Sequence, residues 1–335
     1  MKGRLAGTKA KRATLKAAFI RMVCVLMALT LVAGMCPAVA FADPSITTKK
    51  QVLKTLKTYD EDGYYIVNTM KNDGDDIMFW WSGNDVFSDL DTMVHEECHG
   101  LSFLSSWNSE SIYVGNKKCV KVNYTNVFRS KKIAKSVPKK LRTHRYTIYV
   151  AEPDEYLASD VRGAYGLLNE FMAYCWGFNT SVKMLALANK YTCTDEVWFD
   201  YLGASADVAV AYVEFRFFIE HYLYYAKKHY PAVYKGIMNN AQFKKAVKKI
   251  DSKFNKLIKT YDSNLKKIAK KLGEAGYQVE FTNDYLMIWS GYSAHGPNLR
   301  VSTYNKFVPV LNKSKYRNIE KSLGLKKVTK RKIVL

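Results

Sequence analysis

Between residues 203 and 230 the chain places Val208, Val210, Tyr212, Phe215, Phe217, Phe218, Tyr222 and Tyr224 almost all the way round a helix. A helix that is apolar on every side must be covered on every side, so this segment demands a core made of several other elements. The next segment, 241–272, is of the opposite kind. Phe243, Val247, Ile250, Phe254, Leu257, Tyr261, Leu265, Ile268 and Leu272 keep a 3–4 spacing, and lysines fill the other face. That pattern predicts a long amphipathic helix with one side on the core and the other in water. With 335 residues, 48% of them hydrophobic, the chain can build such a core without a disulfide or metal staple.

The remaining elements are shorter. Residues 43–60 predict an amphipathic helix, 64–70 (YYIVNTM) a strand, 72–76 a turn, and 77–81 (IMFWW) a strand in the core or at a sheet edge. Ser88, with Asp91 three residues on, reads as a helix N-cap. Leu90, Met93, Val94, Cys98, Leu101 and Leu104 then recur at helical spacing. Residues 111–122 predict a hairpin turning at Gly115-Asn116, and 146–150 a short strand. Ser159 or Asp160 starts a helix that runs past Tyr174, and the last sixty residues return to short strands and glycines. Without a repeat or long linker, residues 43–312 read as one α-rich α+β domain with a small sheet, followed by a basic tail, 313–335.

Residues 1–42 contain seven basic residues and no acid, with an apolar run from 22 that ends Ala40-Phe41-Ala42 before Asp43-Pro44. This predicts a secretory signal peptide cleaved after Ala42; an uncleaved membrane anchor is the alternative. Export would lower the formal net charge from +22 to +15 and leave Cys98, Cys119, Cys175 and Cys193 where disulfides can form. The residual charge sits mainly on the 241–272 helix and the tail. There it would hold the protein to anionic wall polymers or lipid head groups, or simply face water. No nucleic-acid-binding motif is present.

His95-Glu96-Glu97-Cys98-His99 is an H-E-x-x-H sequence on the helix argued above. Positions i and i+4 put both imidazoles on one helix face, where they can grip one metal ion. Glu96 is then placed to touch a water on that ion rather than the ion itself. With only 6 His in 335 residues, this pattern is not expected by chance.

At these residues the chain resembles the zincin metallopeptidases. One zincin subgroup carries a third His six residues after the second; here Ser105 stands there and Gly100 follows the motif directly, so the resemblance is to the gluzincins. They take a Glu from a later helix, often within N-E-x-x-A, and Asn169-Glu170-Phe171-Met172-Ala173 has that form. The resemblance implies a zincin-like fold with one zinc ion held by His95, His99 and Glu170, and peptide hydrolysis with Glu96 as general base toward water. Glu214 and Glu220, carboxylates in an otherwise apolar helix, are alternative third ligands. Tyr174 stands where the family would place an Asp to orient a ligating His. Asp91 would serve that role or cap its helix.

A second donor to the reacting carbonyl oxygen is usual in the family, and the loop with Tyr292 and His295 offers one, unless it is an ordinary polar loop. His144, His221 and His229 read as surface or interhelical residues. The 77–81 run would be an edge strand for an extended peptide, or a plain core strand. If Glu170 meets the two histidines, Cys98 and Cys175 approach each other and Cys119 is left for Cys193. Three functions follow: a secreted zinc endopeptidase, a non-catalytic zincin-like protein binding at the cell surface, and a zinc amidase acting on wall material.

Overall fold

The computed structural model describes residues 46–190, 195–282, 284–291 and 293–333; the expected signal segment 1–42, Cys193 and Tyr292 lie outside them. Along the chain run α1 (Lys49–Tyr59), α2 (Glu61–Asn72), a 3-10 turn (Ile77–Trp80), α3 (Val86–Phe103) and the hairpin β1 (Ser109–Gly115) and β2 (Lys118–Asn123). A short helix (His144–Tyr146) runs into a π-turn (Thr147–Ala151), and a helical turn (Ala158–Val161) precedes α4 (Ala164–Lys183). Then come α5 (Asp195–Ser205), α6 (Val208–His229), α7 (Pro231–Asn239) and α8 (Ala241–Glu274). The strands β3 (Gln278–Phe281), β4 (Leu286–Ser290) and β5 (Ser293–His295) lead to α9 (Val301–Leu311) and α10 (Ser314–Leu323). The fold is α-rich α+β, 67% helical, with two small antiparallel sheets, β1-β2 and β3-β4-β5.

Helix α4 is the centre, packed against α3, α6 and α8. Phe171 stacks on Phe254 at 5.6 Å and Phe178 meets Tyr261 edge-on at 5.3 Å, tying α4 to the apolar face of α8. Two glycines set how closely α4 is approached. A Cβ on Gly177 would lie 2.2 Å from Asp91 Oδ1 of α3, and one on Gly166 would lie 1.9 Å from the Ala158 carbonyl oxygen. Any side chain at either place would push the neighbouring element away. Asp91 thus meets Gly177 and Ser181 at one end of α4 while His99 meets Asn169 at the other, so α3 and α4 run antiparallel. Helix α6 is buried as its composition requires, and α8 keeps its apolar stripe inward. Among the described residues no helix is long and apolar enough to cross a membrane.

Several short elements differ from the sequence reading. Residues 64–70 belong to α2 rather than to a strand: Gly63, Ile66, Val67 and Met70 are buried at helical spacing, and that burial outweighs the β-branched and aromatic character of the run. Residues 77–81 are not an edge or core strand but a 3-10 turn capped by Asp76, with Phe79 50% exposed. The motif helix begins earlier than expected. Asp85 caps it, accepting from the Phe87 and Ser88 backbone N–H groups at 2.9 and 3.2 Å, so neither Ser88 nor Asp91 has a capping role. Residues 146–150 form the π-turn and the end of the short helix before it, not a strand. The hairpin matches, with Gly115 (φ 95°), Asn116 (53°) and Lys117 (58°) in left-handed conformations at its turn.

The basic tail is also corrected. Residues 314–323 form α10, whose Tyr316, Ile319, Glu320 and Leu323 are buried. The following segment is held by Arg216 Nη2 donating to the Lys326 carbonyl at 2.5 Å and by Arg331 on Asp262 at 2.7 Å. The thiols of Cys98, Cys119 and Cys175 are free, so the expected Cys98–Cys175 bridge is not formed; the expected Cys119–Cys193 pairing falls on Cys193, outside the described residues. Burial keeps the Cys98 and Cys175 thiols protonated, each pushed well above the usual thiol range.

Candidate metal centre

Because α3 and α4 run antiparallel in close contact, His95 and His99, one turn apart, face Glu170. Their nearest atoms form a triangle: His95 Nε2 to His99 Nε2 3.2 Å, His99 Nε2 to Glu170 Oε2 3.6 Å, and His95 Nε2 to Glu170 Oε2 4.0 Å. Atoms held at zinc-ligand distance by one tetrahedral ion lie about 3.3 Å apart, so the triangle has the size that such an ion needs. The three residues form a group suited to hold a metal ion. With Glu170 Oε2 3.6 and 4.0 Å from the two rings and the rings' Nε2 atoms 3.2 Å apart, all three nearest atoms face one shared point.

The protons follow from the neighbours. Ser102 Oγ donates to the His99 carbonyl at 2.8 Å, which leaves Ser102 Oγ to accept from Asn169 Nδ2 at 2.6 Å. The other Asn169 N–H goes to Glu110 Oε2 of β1 at 3.1 Å. With both amide hydrogens engaged, Asn169 must turn its Oδ1 to His99 and accept from Nδ1–H. His99 Nε2 is thereby the lone-pair nitrogen, which is what a metal ligand requires.

Electrostatics set the two imidazoles apart. Burial, with His99 and Arg145 nearby, lowers the His95 pKa well below the usual range, so this ring is neutral. Burial also works against protonated His99, but the Glu170 charge and hydrogen bonds outweigh it and raise its pKa to about 9. A metal ion would replace that proton. Glu96 is buried beside the group; desolvation raises its carboxyl to about 7, with His99 opposing and Glu170 adding to the shift.

The other residues singled out in the sequence lie elsewhere. Glu214 accepts from Arg145 Nη1 at 3.0 Å and Glu220 from Arg216 Nε at 2.9 Å, so both alternative third ligands are committed to arginines. Asp91 accepts from Ser181 and orients neither histidine. His295 is exposed at the end of β5, edge-on to Phe199 at 6.1 Å, and is not part of the group. His221 is interhelical, between Ser136 and Tyr316.

Among the neighbours, Tyr149 and Arg145 had no sequence signal, and Tyr174 was marked only as a departure from the family pattern. The Tyr174 ring packs edge-on against His95 at 4.5 Å, its hydroxyl hydrogen-bonds that of Tyr149 at 3.0 Å, and the Arg145 guanidinium lies 4.8 Å over it. Arg145 is itself fixed by Glu214 and by Asp207 at 2.9 Å. Tyr149 comes from the π-turn, a rare element that is frequent at functional sites and the one cue the backbone gives. Comparison with known proteins finds no family model, curated protein or solved structure that matches this chain, so the chemistry of the site is read from its own side chains.

Proposed function

We propose that this chain is a secreted zinc-dependent metallopeptidase of zincin-like fold with gluzincin-type ligands, cleaving peptide bonds within chains. The observation that carries the reading is the convergence of His95 Nε2, His99 Nε2 and Glu170 Oε2 on one point, with buried Glu96 next to the first of them on the same helix. Two imidazoles and one carboxylate leave a tetrahedral ion one open position, the donor set of a catalytic rather than a structural zinc site. When bound there, zinc supplies Lewis acidity, making water a nucleophile near neutral pH and taking up part of the carbonyl oxygen's charge.

The chain's own groups do the rest. Glu96, buried beside the ligands, takes a proton from the attacking water and delivers it to the leaving amine. Asn169 keeps His99 in the tautomer with Nε2 free. The Tyr149–Tyr174 hydroxyl pair supplies an O–H donor for the oxygen on which charge develops. His95, the most exposed of the three at 12%, marks the side from which substrate arrives. Export rests on the tripartite pattern of residues 1–42.

The test is a Glu96→Gln variant beside wild type, both loaded with zinc and offered an unfolded protein substrate. The variant keeps its metal and loses about 10²–10⁴-fold in cleavage rate. A zinc-loaded wild type that leaves peptides intact but opens amide bonds of wall material would make the protein an amidase instead.

A further inference from the structure

Helix α8 contains two acids before its last turn, and both are withdrawn from its surface. Asp251 is buried and accepts from Arg216 Nη1 at 2.5 Å; Asp262 accepts from Arg331 at 2.7 and 2.9 Å. What faces water is nine exposed lysines between Lys245 and Lys271, with Ser252, Thr260 and Ser263 filling the gaps in the same stripe. Glu274, at the helix end, offsets only Lys270 at 3.7 Å. At 1.5 Å per residue the stripe is about 39 Å long. Lysines three and four apart on a helix repel one another, so the row is stabilised by an external counter-charge rather than by the fold.

A second basic row lies beside the first. The Lys248 side chain is 3.6 Å from where a Cβ on Gly324 would stand, and Arg331 grips Asp262 one and a half dozen ångströms or more further along α8 on the same helix. The irregular segment between Gly324 and Arg331 therefore runs alongside α8. Asn312 donates to the Val328 carbonyl at 3.3 Å and Asn305 to that of Arg331 at 2.9 Å, which fixes the segment in place. Lys326, Lys327, Lys330 and Lys332 are exposed on it.

We infer that these two rows form a binding surface for a linear polyanion carrying repeated phosphate groups without bases, of the kind found in bacterial wall polymers. The chemistry favours this occupant. Lysine ammonium groups are point charges that follow a chain of phosphates without demanding a fixed geometry. None of the large apolar side chains exposed among the described residues lies on α8, so the face has nothing to insert into a bilayer. Nor does it offer an aromatic platform on which a base would stack.

The full chain is titrated with a glycerol phosphate polymer, with phosphatidylglycerol-containing vesicles and with a thymidine oligonucleotide of matched charge, from about 50 to 200 mM salt. The polymer binds most tightly, and its affinity falls steeply as salt rises. A combined Lys256→Gln, Lys259→Gln, Lys266→Gln, Lys267→Gln variant loses about tenfold or more. A control with Lys131, Lys132, Lys139 and Lys140 each replaced by Gln changes less than about twofold. Equal or tighter binding of vesicles or oligonucleotide overturns the inference. So does an α8 variant that binds like wild type, or a control that loses as much.

Discussion

Two of the buried clusters of ionisable side chains, around Arg216 and around His95 and His99, resolve their charge in different ways. Around Arg216, one guanidinium is met by Glu220 at 2.9 Å, Asp251 at 2.5 Å and Glu320 at 2.7 Å, with the Lys326 carbonyl as a further acceptor. Arg317 shares Glu320. Around His95 and His99 there are two imidazoles and a carboxylate whose nearest atoms, 3.2–4.0 Å apart, face a common point. The first cluster contains its cation and uses it to join α6, α8 and α10. The second is a group that could hold a metal ion taken from solution. Burial is thus a poor guide to function by itself; the residue types and the point they face tell the two apart.

The contrast breaks if either cluster behaves like the other. The largest stability effect belongs to Arg216→Leu, which leaves buried carboxylates without their counter-charge and costs about 3–5 kcal/mol. Chemical denaturation measures that loss, and zinc content per folded chain stays at the wild-type value. Metal loss on this substitution would mean that the two clusters are one system. A smaller effect is expected behind the site. Asn169→Leu frees His99 to adopt the other tautomer, and Glu110→Gln loosens the amide that selects it. Each weakens zinc binding by about 10–100-fold, with Asn169→Leu the larger, as competition with a chromophoric chelator would report. Unchanged affinity in both would remove the orienting role.

A third expected effect is a pH dependence. Burial, against the pull of Arg216, raises the Glu220 carboxyl to about 8, whereas an unfolded glutamate titrates near 4.3 (about the model-peptide value). A raised folded pKa means that stability linked to the bound proton is complete below the unfolded value and is lost as pH rises through the folded one. Glu220→Gln holds no such proton. Its stability relative to wild type should climb from about pH 4.3 to about 8 and then level off, as paired urea melts would show. A flat difference would mean that Glu220 is already ionised.

The parts of this picture that could be read from sequence are those set within one element. The i, i+4 histidines needed only a helix, and the 241–272 stripe needed only its own periodicity. Glu170 was reached through the form of its surrounding motif. Glu110, Arg145 and Tyr149 could not be found this way, because a hairpin strand, a short helix and a π-turn bring them to the site only after Gly166 and Gly177 have let their neighbours close on α4. The strand readings at 64–70, 77–81 and 146–150 failed for a related reason: β-branched and aromatic runs are ambiguous until packing decides which face is covered. The basic tail was misread because its anchors, Glu320 and Arg331, pair with partners 104 and 69 residues away.

Metal analysis of the purified full chain, wild type beside Glu170→Ala, tests the central claim most directly. The account predicts about one zinc per wild-type chain, the stoichiometry of a single tetrahedral site, and its loss in a variant that remains folded by circular dichroism. A wild type that takes up no zinc, or a Glu170→Ala chain that keeps its full complement, would contradict it.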